Sequence, residues 1–251
     1  MFQSNPDRPK WLHWLKTCSS TNSWAYSHLA TLQHGDVVFT QHQTAGKGQH
    51  GRIWYSPPGV LTASFILAQI PAVQLSGFSL AAGLAVIYTI EELMPPLQGV
   101  LRLKWPNDVL IDGRKLAGIL CESRVKGSMG KVVVGIGLNR CANFDRSELN
   151  AKAISLDQIS ASVPDELVIL ECLRHHLLQT ATQCEQPNGL AAVLADMGSR
   201  DALRDCTITL DLGWETVCGE AMGISLSGCL LLSLANGELR AFTSGHIIYE
   251  S

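Results

Sequence analysis

The sequence lacks several features that would assign it to a class at once. It has no long apolar run, no repeat, no block of like charges and, despite eight cysteines, no C-x-x-C pair. Without an apolar run of about 20 residues the chain cannot cross a bilayer as a helix. Residues 1–10 are polar and contain prolines, which is atypical of a secretory signal. We therefore expect no membrane partner and a cytoplasmic location.

The cysteine pattern and the charges exclude further classes of protein. No group of histidines accompanies the cysteines at the spacing of a zinc site, so reduced and mostly buried thiols are expected. The formal net charge is −3. No basic excess predicts a nucleic-acid partner, and no acidic run predicts a disordered tail. With 46% hydrophobic residues, the composition is that of an ordinary globular protein.

The most distinctive segment is Thr-Ala-Gly-Lys-Gly-Gln-His-Gly-Arg at 44–52, hereafter the glycine loop, which follows a predicted strand at 36–41. Glycines allow backbone N–H groups to approach an anion closely, and Lys47 and Arg52 add positive charge. The loop therefore suits a phosphate or an acyl phosphate. A glycine-rich surface loop with ordinary charges has the same composition.

Two better-known glycine patterns match this loop only in part. Gly46, Gly48 and Gly51 satisfy the dinucleotide-binding fingerprint, but that fingerprint requires a helix to begin at its third glycine. Pro57 and Pro58 follow too closely for such a helix. The similarity to a protein-kinase loop is not supported either, because the chain contains no His-Arg-Asp or Asp-Phe-Gly string.

The patterning predicts an α+β fold, in which a mixed sheet with flanking helices precedes a small all-β domain of the SH3-like type. The domain boundary is expected between 204 and 205. Helices are predicted at 23–32 and 72–94, with a helical region at 147–196.

β-Branched and apolar runs between turn residues predict the strands. In the larger domain they lie at 60–68, 101–104 and 131–138, with a hairpin at 109–122 that turns at Asp112-Gly113. In the smaller domain they lie at 207–212, 215–224, 229–234 and 239–243, a spacing that suits a small barrel or sandwich.

Lys-Trp-Pro-Asn-Asp at 104–108 lies between two predicted strands. Its proline forces a turn that leaves Asn107 and Asp108 beside the sheet edge. An Asp next to an Asn at such a turn can hold Mg²⁺ on phosphate oxygens. Side chains that only cap the local backbone explain the pair equally well.

Lys-Leu-Ala-Gly-Ile-Leu at 115–120 follows the hairpin turn. Ala117 and Gly118 leave room for a ligand against the backbone, and Lys115 stands where it can neutralise charge on a developing acyl phosphate. A solvated hairpin lysine is the plainer interpretation of Lys115 alone. Gly-x-Gly-x-Asn at 135–139 is likewise typical of any turn from strand to loop.

Taken in order within one domain, these segments closely resemble the biotin protein ligases, also called biotin–[acetyl-CoA-carboxylase] ligases. The strings at 104–108 and 115–120 are specific, and the glycine loop is less so. The resemblance covers 20–139 by motif and continues to 251 by domain layout. It implies a short form without a DNA-binding domain, because the family's Ser-Thr-Asn segment already begins at Ser20; we expect no repressor activity and no nucleic-acid partner.

The resemblance implies a reaction in two steps. The carboxylate of biotin attacks the α-phosphate of ATP and forms biotinyl-5′-AMP and pyrophosphate. A lysine of the biotin carboxyl carrier protein of acetyl-CoA carboxylase then attacks this adenylate and releases AMP. Mg²⁺ is the implied cofactor, with ATP and biotin as substrates. A monomer or a weak homodimer is expected.

The resemblance also implies roles for individual residues. Hydroxyl and amide groups suit the flat ureido ring of biotin, which both donates and accepts hydrogen bonds. The residues implied to bind biotin are Ser20, Thr21, Asn22, Gln43, Lys47, Gly48, Gln49, Lys115 and Gly118. Those implied to bind ATP are Gly46, Arg52, Trp54, Asn107, Asp108 and Asn139. Lys115, Asp108 and Arg52 are the implied catalytic residues, and Asp108 is the implied Mg²⁺ ligand.

Ser20 and Thr21 are also typical helix N-caps. The two interpretations are compatible, because one of these hydroxyls can cap the helix while the other binds a ligand.

The glycine loop departs from the family pattern Gly-Arg-Gly-Arg-Arg-Gly-Arg. Lys47, Gln49 and His50 stand in place of three arginines. Lysine does not replace arginine where a bidentate phosphate contact matters, and glutamine carries no charge. We hypothesise that the chain retains its adenylate less tightly than arginine-rich relatives, which the rate of adenylate release tests.

Two other functions are compatible with parts of this pattern. Lipoate–protein ligases and octanoyl transferases have a similar catalytic domain but handle an acyl chain without a ureido ring, so the Ser-Thr-Asn segment and Gln43 favour biotin. A module that binds biotin or its adenylate without catalysis is expected to lack the residues on the ATP side, whereas Asp108, Lys115 and Asn139 are all present.

Overall fold

The computed structural model describes residues 8–142, 144 and 152–250. Its larger sheet contains seven strands, which are β1 (Leu12–Leu15), β2 (Val37–Thr40), β3 (Val60–Pro71), β4 (Arg102–Lys104), β5 (Asp108–Ile111), β6 (Arg114–Lys126) and β7 (Met129–Asn139). They pair in the order β1-β2-β3-β7-β6-β5-β4. β1 and β2 are parallel and every other neighbouring pair is antiparallel, so the sheet is mixed as predicted.

Helices cover both faces of this sheet. The described residues form four α-helices, which are α1 (Thr21–Ser27), α2 (Phe78–Leu93), α3 (Glu166–Cys184) and α4 (Gly189–Leu194). Alternate residues of β3 point to opposite faces, so Phe65 packs into the main core with α2 and α3, whereas Ile66 packs with Leu29 in a smaller cluster beside α1. The functional site described below lies on the α1 face.

A second, antiparallel sheet follows near the C-terminus. Its strands are β8 (Thr207–Asp211), β9 (Thr216–Ile224), β10 (Leu230–Leu234), β11 (Leu239–Phe242) and β12 (His246–Glu250). They pair in the order β11-β10-β9-β8-β12. The first four were predicted. β12 was missed because Gly245 and the short apolar run after it lie at the end of the pattern.

The two sheets are in direct contact. The indole N–H of Trp105 donates to the carbonyl of Gly228 at 3.2 Å. Gly77 and Gly228 approach so closely that a Cβ on Gly228 would lie 2.4 Å from the Cα of Gly77. Leu210 and Leu230 of the second sheet belong to the same hydrophobic cluster as the core of the first. The boundary between 204 and 205 stays a prediction.

Three helix predictions need correction. The first helix ends at Ser27 rather than residue 32. The second begins at Phe78, because Ala72–Gln74 form a 3₁₀ turn whose first N–H bonds to the Ser128 carbonyl. In the third region, residues 147–151 lie outside the described residues, and 152–164 hold only the 3₁₀ turn Leu156–Gln158 before α3 begins.

The cysteines are free, as expected, but most are not buried. Only Cys172 and Cys184 are buried, and Cys218 is exposed. Burial raises the pKa of Cys18 to about 11, so its thiol stays protonated at neutral pH. Within the described residues, no helix combines the length and the apolar character needed to cross a membrane.

Candidate active site

A shallow trough in the sheet results from glycines on adjacent strands. Gly118 of β6 pairs with Gly137 of β7, and Gly135 lies two residues earlier on the same face. A Cβ on Gly137 would lie 2.3 Å from the Trp54 ring, and one on Gly118 would lie 2.9 Å from it. The indole of Trp54 therefore rests directly on the backbone of this glycine pair, a position that side chains on the strands would block.

The glycine loop folds back on itself as an irregular hairpin beside this trough. The Gly48 N–H donates to the Arg52 carbonyl at 2.7 Å, and the Trp54 N–H donates to the Gly46 carbonyl at 2.9 Å. The turn at Gln49–Gly51 places His50 at φ 53° and Gly51 at φ 74°. No α-helix begins at Gly51, which rules out the dinucleotide-binding interpretation of the glycines.

A cavity of about 200 Å³ lies between the glycine loop, the N-terminus of α1 and the glycine trough. Every site residue predicted from the sequence lines this cavity, with the exceptions of Gly46 and Asn139. The structure thus brings together residues between 20 and 137 that lie far apart in the sequence.

The two exceptions lie immediately behind the lining. A Cβ on Gly46 would lie 2.6 Å from the Gln43 amide nitrogen, so this glycine permits the loop to pack against Gln43. Asn139 is buried, and its amide donates to the carbonyls of Lys115 and Ile154 at 3.0 Å each. In this arrangement Asn139 holds the backbone of Lys115.

Polar side chains at the start of α1 form one end of the cavity. Ser20 caps the helix, since its hydroxyl accepts from the Ser23 N–H at 3.3 Å. The Thr21 N–H donates to the Gln43 side-chain oxygen at 2.9 Å, and the Gln43 amide nitrogen reaches Ser56 Oγ at 3.4 Å. Because a backbone N–H can only donate, this contact fixes which end of the Gln43 amide faces the helix.

Asn22 is held by partners that the sequence analysis did not identify. Its amide nitrogen donates to the Leu120 carbonyl at 3.0 Å and to the Glu122 carboxylate at 2.9 Å. The Ser64 hydroxyl donates to the Asn22 oxygen at 2.7 Å and lies 2.8 Å from Thr21 Oγ1. In the sequence, Ser64 stands out because it carries a hydroxyl within an apolar strand, and this feature could have indicated its role. The sequence around Glu122 contains no comparable feature.

Lys115 and Asp108 form an ion pair on the opposite side of the cavity. Lys115 Nζ lies 2.6 Å from Asp108 Oδ1, and both side chains are partly exposed, at 35% and 26%. The same ammonium lies 5.2 Å from the centroid of the Trp54 ring. A cation that is fixed by a carboxylate and an aromatic face is suited to meet an anionic ligand entering the cavity.

Asn107 fixes the turn that carries Asp108. Its side-chain amide donates to the Ile119 carbonyl at 2.6 Å, and the Ile119 N–H donates back to the Asn107 carbonyl at 2.9 Å. Both bonds join the turn to β6, 12 residues farther along the chain, so they are not the local backbone capping that was the plainer interpretation of the pair.

A side chain of the second sheet, His246, reaches the glycine loop. Arg52 lies 3.4 Å from His246 Nδ1. Burial and the neighbouring Arg52 guanidinium lower the pKa of His246 below its ordinary value, so His246 is neutral at pH 7 and can accept this bond.

A model of the biotin/lipoate A/B protein ligase family matches residues 14–139. The chain is 30% identical to the bifunctional ligase/repressor BirA of Escherichia coli over 242 residues, which cover 94% of this chain and 73% of that protein. It is 32% identical to the biotin–[acetyl-CoA-carboxylase] ligase of Mycobacterium tuberculosis over 219 residues, 86% of this chain and 79% of that one. The biotin protein ligase of Aquifex aeolicus in complex with biotin and ATP superposes with a TM-score of 0.76 at 26% identity, covering 96% of this chain and 99% of the other.

Proposed function

The chain belongs to the biotin/lipoate A/B protein ligase family, and from this premise we propose that it is a biotin–protein ligase. In the proposed reaction, ATP activates biotin as biotinyl-5′-AMP, and the biotinyl group is then transferred to a lysine of the biotin carboxyl carrier protein of acetyl-CoA carboxylase. The names of the relatives support biotin as the substrate rather than lipoate.

The observation that carries this proposal is the pattern of donors and acceptors around Thr21. Accepting a bond from Ser23 leaves the hydrogen of Ser20 for donation, and the amide nitrogen of Gln43 has a second hydrogen. Thr21 Oγ1 has lone pairs beside them. Donors for a carbonyl and an acceptor for an N–H match a cyclic urea, and an acyl chain with a dithiolane ring offers neither group.

In the first step, an oxygen of the biotin carboxylate attacks the α-phosphorus of ATP. The bond from this phosphorus to the bridging oxygen breaks, and pyrophosphate leaves with the electron pair. Negative charge is concentrated on the α-phosphate as the five-coordinate arrangement forms. Lys115 is positioned to neutralise this charge, and Lys47 and Arg52 of the glycine loop add positive charge on the other wall of the cavity.

Asp108 is the residue that would hold Mg²⁺. A carboxylate oxygen at the cavity wall, together with phosphate oxygens of the nucleotide, is the donor set that Mg²⁺ prefers, so the residues present fit this ion. Bound Mg²⁺ would neutralise phosphate charge. Asn107 supports this proposed function indirectly, because it fixes the turn on which Asp108 stands.

In the second step, the neutral amine of the carrier lysine attacks the carbonyl carbon of the mixed anhydride. The bond between that carbon and the phosphate oxygen breaks, AMP leaves, and the amine loses a proton as the amide forms. Lys115 contributes here as well, because the phosphate of the departing AMP regains a full negative charge. Trp54, lying over the glycine pair, offers an aromatic face to the nucleotide.

The test is incubation of the purified chain with ATP, Mg²⁺, biotin and the apo carrier domain, followed by mass spectrometry of the carrier. We expect one added biotinyl group, dependent on ATP, and none when lipoate replaces biotin. Modification by lipoate but not biotin would replace this proposal with the lipoate alternative. Binding of biotin without pyrophosphate exchange would indicate a binding module.

The cytoplasmic location, the absence of a nucleic-acid partner and the monomeric or weakly dimeric state stay predictions. The repressor activity named for the Escherichia coli relative belongs to that protein.

A further inference from the structure

Two residues outside the cavity wall, the buried Ser64 and the partly buried Glu122, are connected to the site by hydrogen bonds that all run in one donor-to-acceptor direction. Asn22 is the centre of this arrangement. Its amide nitrogen faces a backbone carbonyl, at Leu120, and a carboxylate, at Glu122. Both are acceptors, so the nitrogen must occupy that end of the amide and the oxygen must face Ser64.

The same fixed order of donors and acceptors extends through Ser64 to Thr21. The Asn22 oxygen can only accept, so Ser64 must give it the one hydrogen of its hydroxyl, across 2.7 Å. The contact of 2.8 Å between Ser64 and Thr21 is then a hydrogen bond only if Thr21 donates. The other acceptor in reach of Thr21 Oγ1, the Gln43 oxygen, is farther away at 3.4 Å.

We infer that Ser64 and Glu122 are positioning residues that set the polarity of the ligand site. They draw the hydroxyl hydrogen of Thr21 away from the cavity and leave the lone pairs of its oxygen facing a ligand. Thr21 can then accept a hydrogen bond from a ligand N–H, and a ligand acceptor at the same place is disfavoured. Neither residue touches the cavity that Thr21 lines. This inference rests on the proposed function, since it names the ligand N–H as one of the two in the biotin urea.

Burial strengthens this preference. Ser64 is 0% exposed and Asn22 is 3% exposed, so water does not compete for these bonds. A buried hydroxyl that lost its acceptor would be left with an unsatisfied hydrogen, which is more costly than the gain from an extra bond. The hydrogen bonds therefore cannot reverse direction without losing those at the Leu120 carbonyl and the Glu122 carboxylate, neither of which can donate.

The test is calorimetric binding of three ligands without ATP: biotin and the two cyclic carbamate analogues in which one or the other ring N–H is an oxygen. In Ser64→Ala, Thr21 loses the near acceptor that draws its hydrogen away from the cavity, and the Gln43 oxygen at 3.4 Å is a weaker substitute. We expect biotin to bind about tenfold more weakly, which corresponds to one neutral hydrogen bond. The carbamate that keeps the N–H facing Thr21 should lose the same factor, and the other carbamate should be unaffected.

Glu122 provides an independent pair of variants. Glu122→Ala removes the charged one of the two acceptors that orient Asn22, leaving the Leu120 carbonyl, and should weaken the binding of biotin in the same ligand pattern as Ser64→Ala. Glu122→Gln keeps an acceptor oxygen and should restore binding of biotin to within about twofold of the original chain. This pair also serves if Ser64→Ala does not fold.

Thr89→Ala is the matched control, because Thr89 is a fully buried hydroxyl on α2 that bonds to the Ala85 carbonyl and also contacts the Cys172 thiol, away from the cavity. It should bind all three ligands as the original chain does. An equal loss for all three ligands in Ser64→Ala would overturn the inference and leave a packing role. Failure of the unmodified chain to bind biotin would instead overturn the proposed function.

Discussion

Lys115 and Asp108 face each other across a β-bulge in the hairpin, with Nζ and Oδ1 2.6 Å apart. The register shifts between Val109, which pairs with Ala117, and Leu110, which pairs with Lys115, so β6 carries one extra residue, Leu116, at this point. This places a cation from one strand beside a carboxylate from the other at the cavity wall. The pair gives the ammonium a defined position before any ligand arrives.

Lys115→Ala should abolish adenylate formation without unfolding the chain, because the side chain is one-third exposed rather than in the core. Loss of a charge aimed at the reacting phosphate is expected to lower the rate by about 10²–10³. Pyrophosphate exchange dependent on biotin measures this rate. Lys126→Ala, an exposed lysine at the far end of the same strand, is the control. A near-normal rate in Lys115→Ala would refute its role.

Asp108→Asn should impair the use of Mg²⁺-ATP more than the binding of biotin. The substitution keeps the size and the turn but removes the charge that a divalent cation requires, so we expect the KM for ATP to rise about tenfold. Asp112→Asn, an exposed aspartate at the next turn with φ 49°, is the control. Equal losses in ATP use and biotin affinity would indicate that Asp108 only shapes the turn.

Gly137→Ala should displace the Trp54 indole, since the new methyl would lie 2.3 Å from the ring. We expect the KM for ATP to increase roughly tenfold to a hundredfold, as for other overpacked sites. Gly198→Ala is the control because its Cβ would meet open space. If Gly137→Ala folds and its KM for ATP is unchanged, the indole does not contribute to the nucleotide site.

Gln49→Arg should slow the release of biotinyl-5′-AMP. Gln49 lines the cavity and stands where arginine-rich relatives carry a charge. Restoring one charge-assisted bond is worth roughly 1.5–3 kcal/mol, or about tenfold to a hundredfold in release rate. Gln98→Arg adds the same charge at an exposed loop far along the chain and should leave release unchanged. Equal release rates for all three proteins would remove the basis for the hypothesis of weak retention.

Much of this fold follows from local sequence. The hairpin turn at Asp112-Gly113 was predicted because both residues accept positive φ, and they have φ values of 49° and 71°. The helix predicted from residue 72 was too long because its first turn is bonded to Ser128 in the turn between β6 and β7, a contact that periodicity does not contain. Non-local pairing also explains why residues 152–154 are extended alongside Lys115.

Site residues were predictable where they lie together in one contiguous sequence motif. The glycine loop and the strings at 104–108 and 115–120 were identified from their residue types, and the structure gathers them around one cavity. Ser64 and Glu122 were not identified, because their importance depends on strand register. Ser64 faces Asn22 only because β3 pairs with β7 in the observed register, which places Ser64 opposite Gly135. A Cβ on Gly135 would lie 2.2 Å from the Asn22 oxygen.

The close approach of Gly77 and Gly228 limits how this chain can be divided. A protein cut at residue 204 would expose the indole of Trp105, and with it the apolar surface on which the second sheet rests. Trp105 belongs to the same turn as Asp108, so we expect loss of the second sheet to disturb the proposed nucleotide site first. Engineering that shortens or replaces the C-terminal sheet must therefore supply a new cover for that tryptophan before it can preserve turnover.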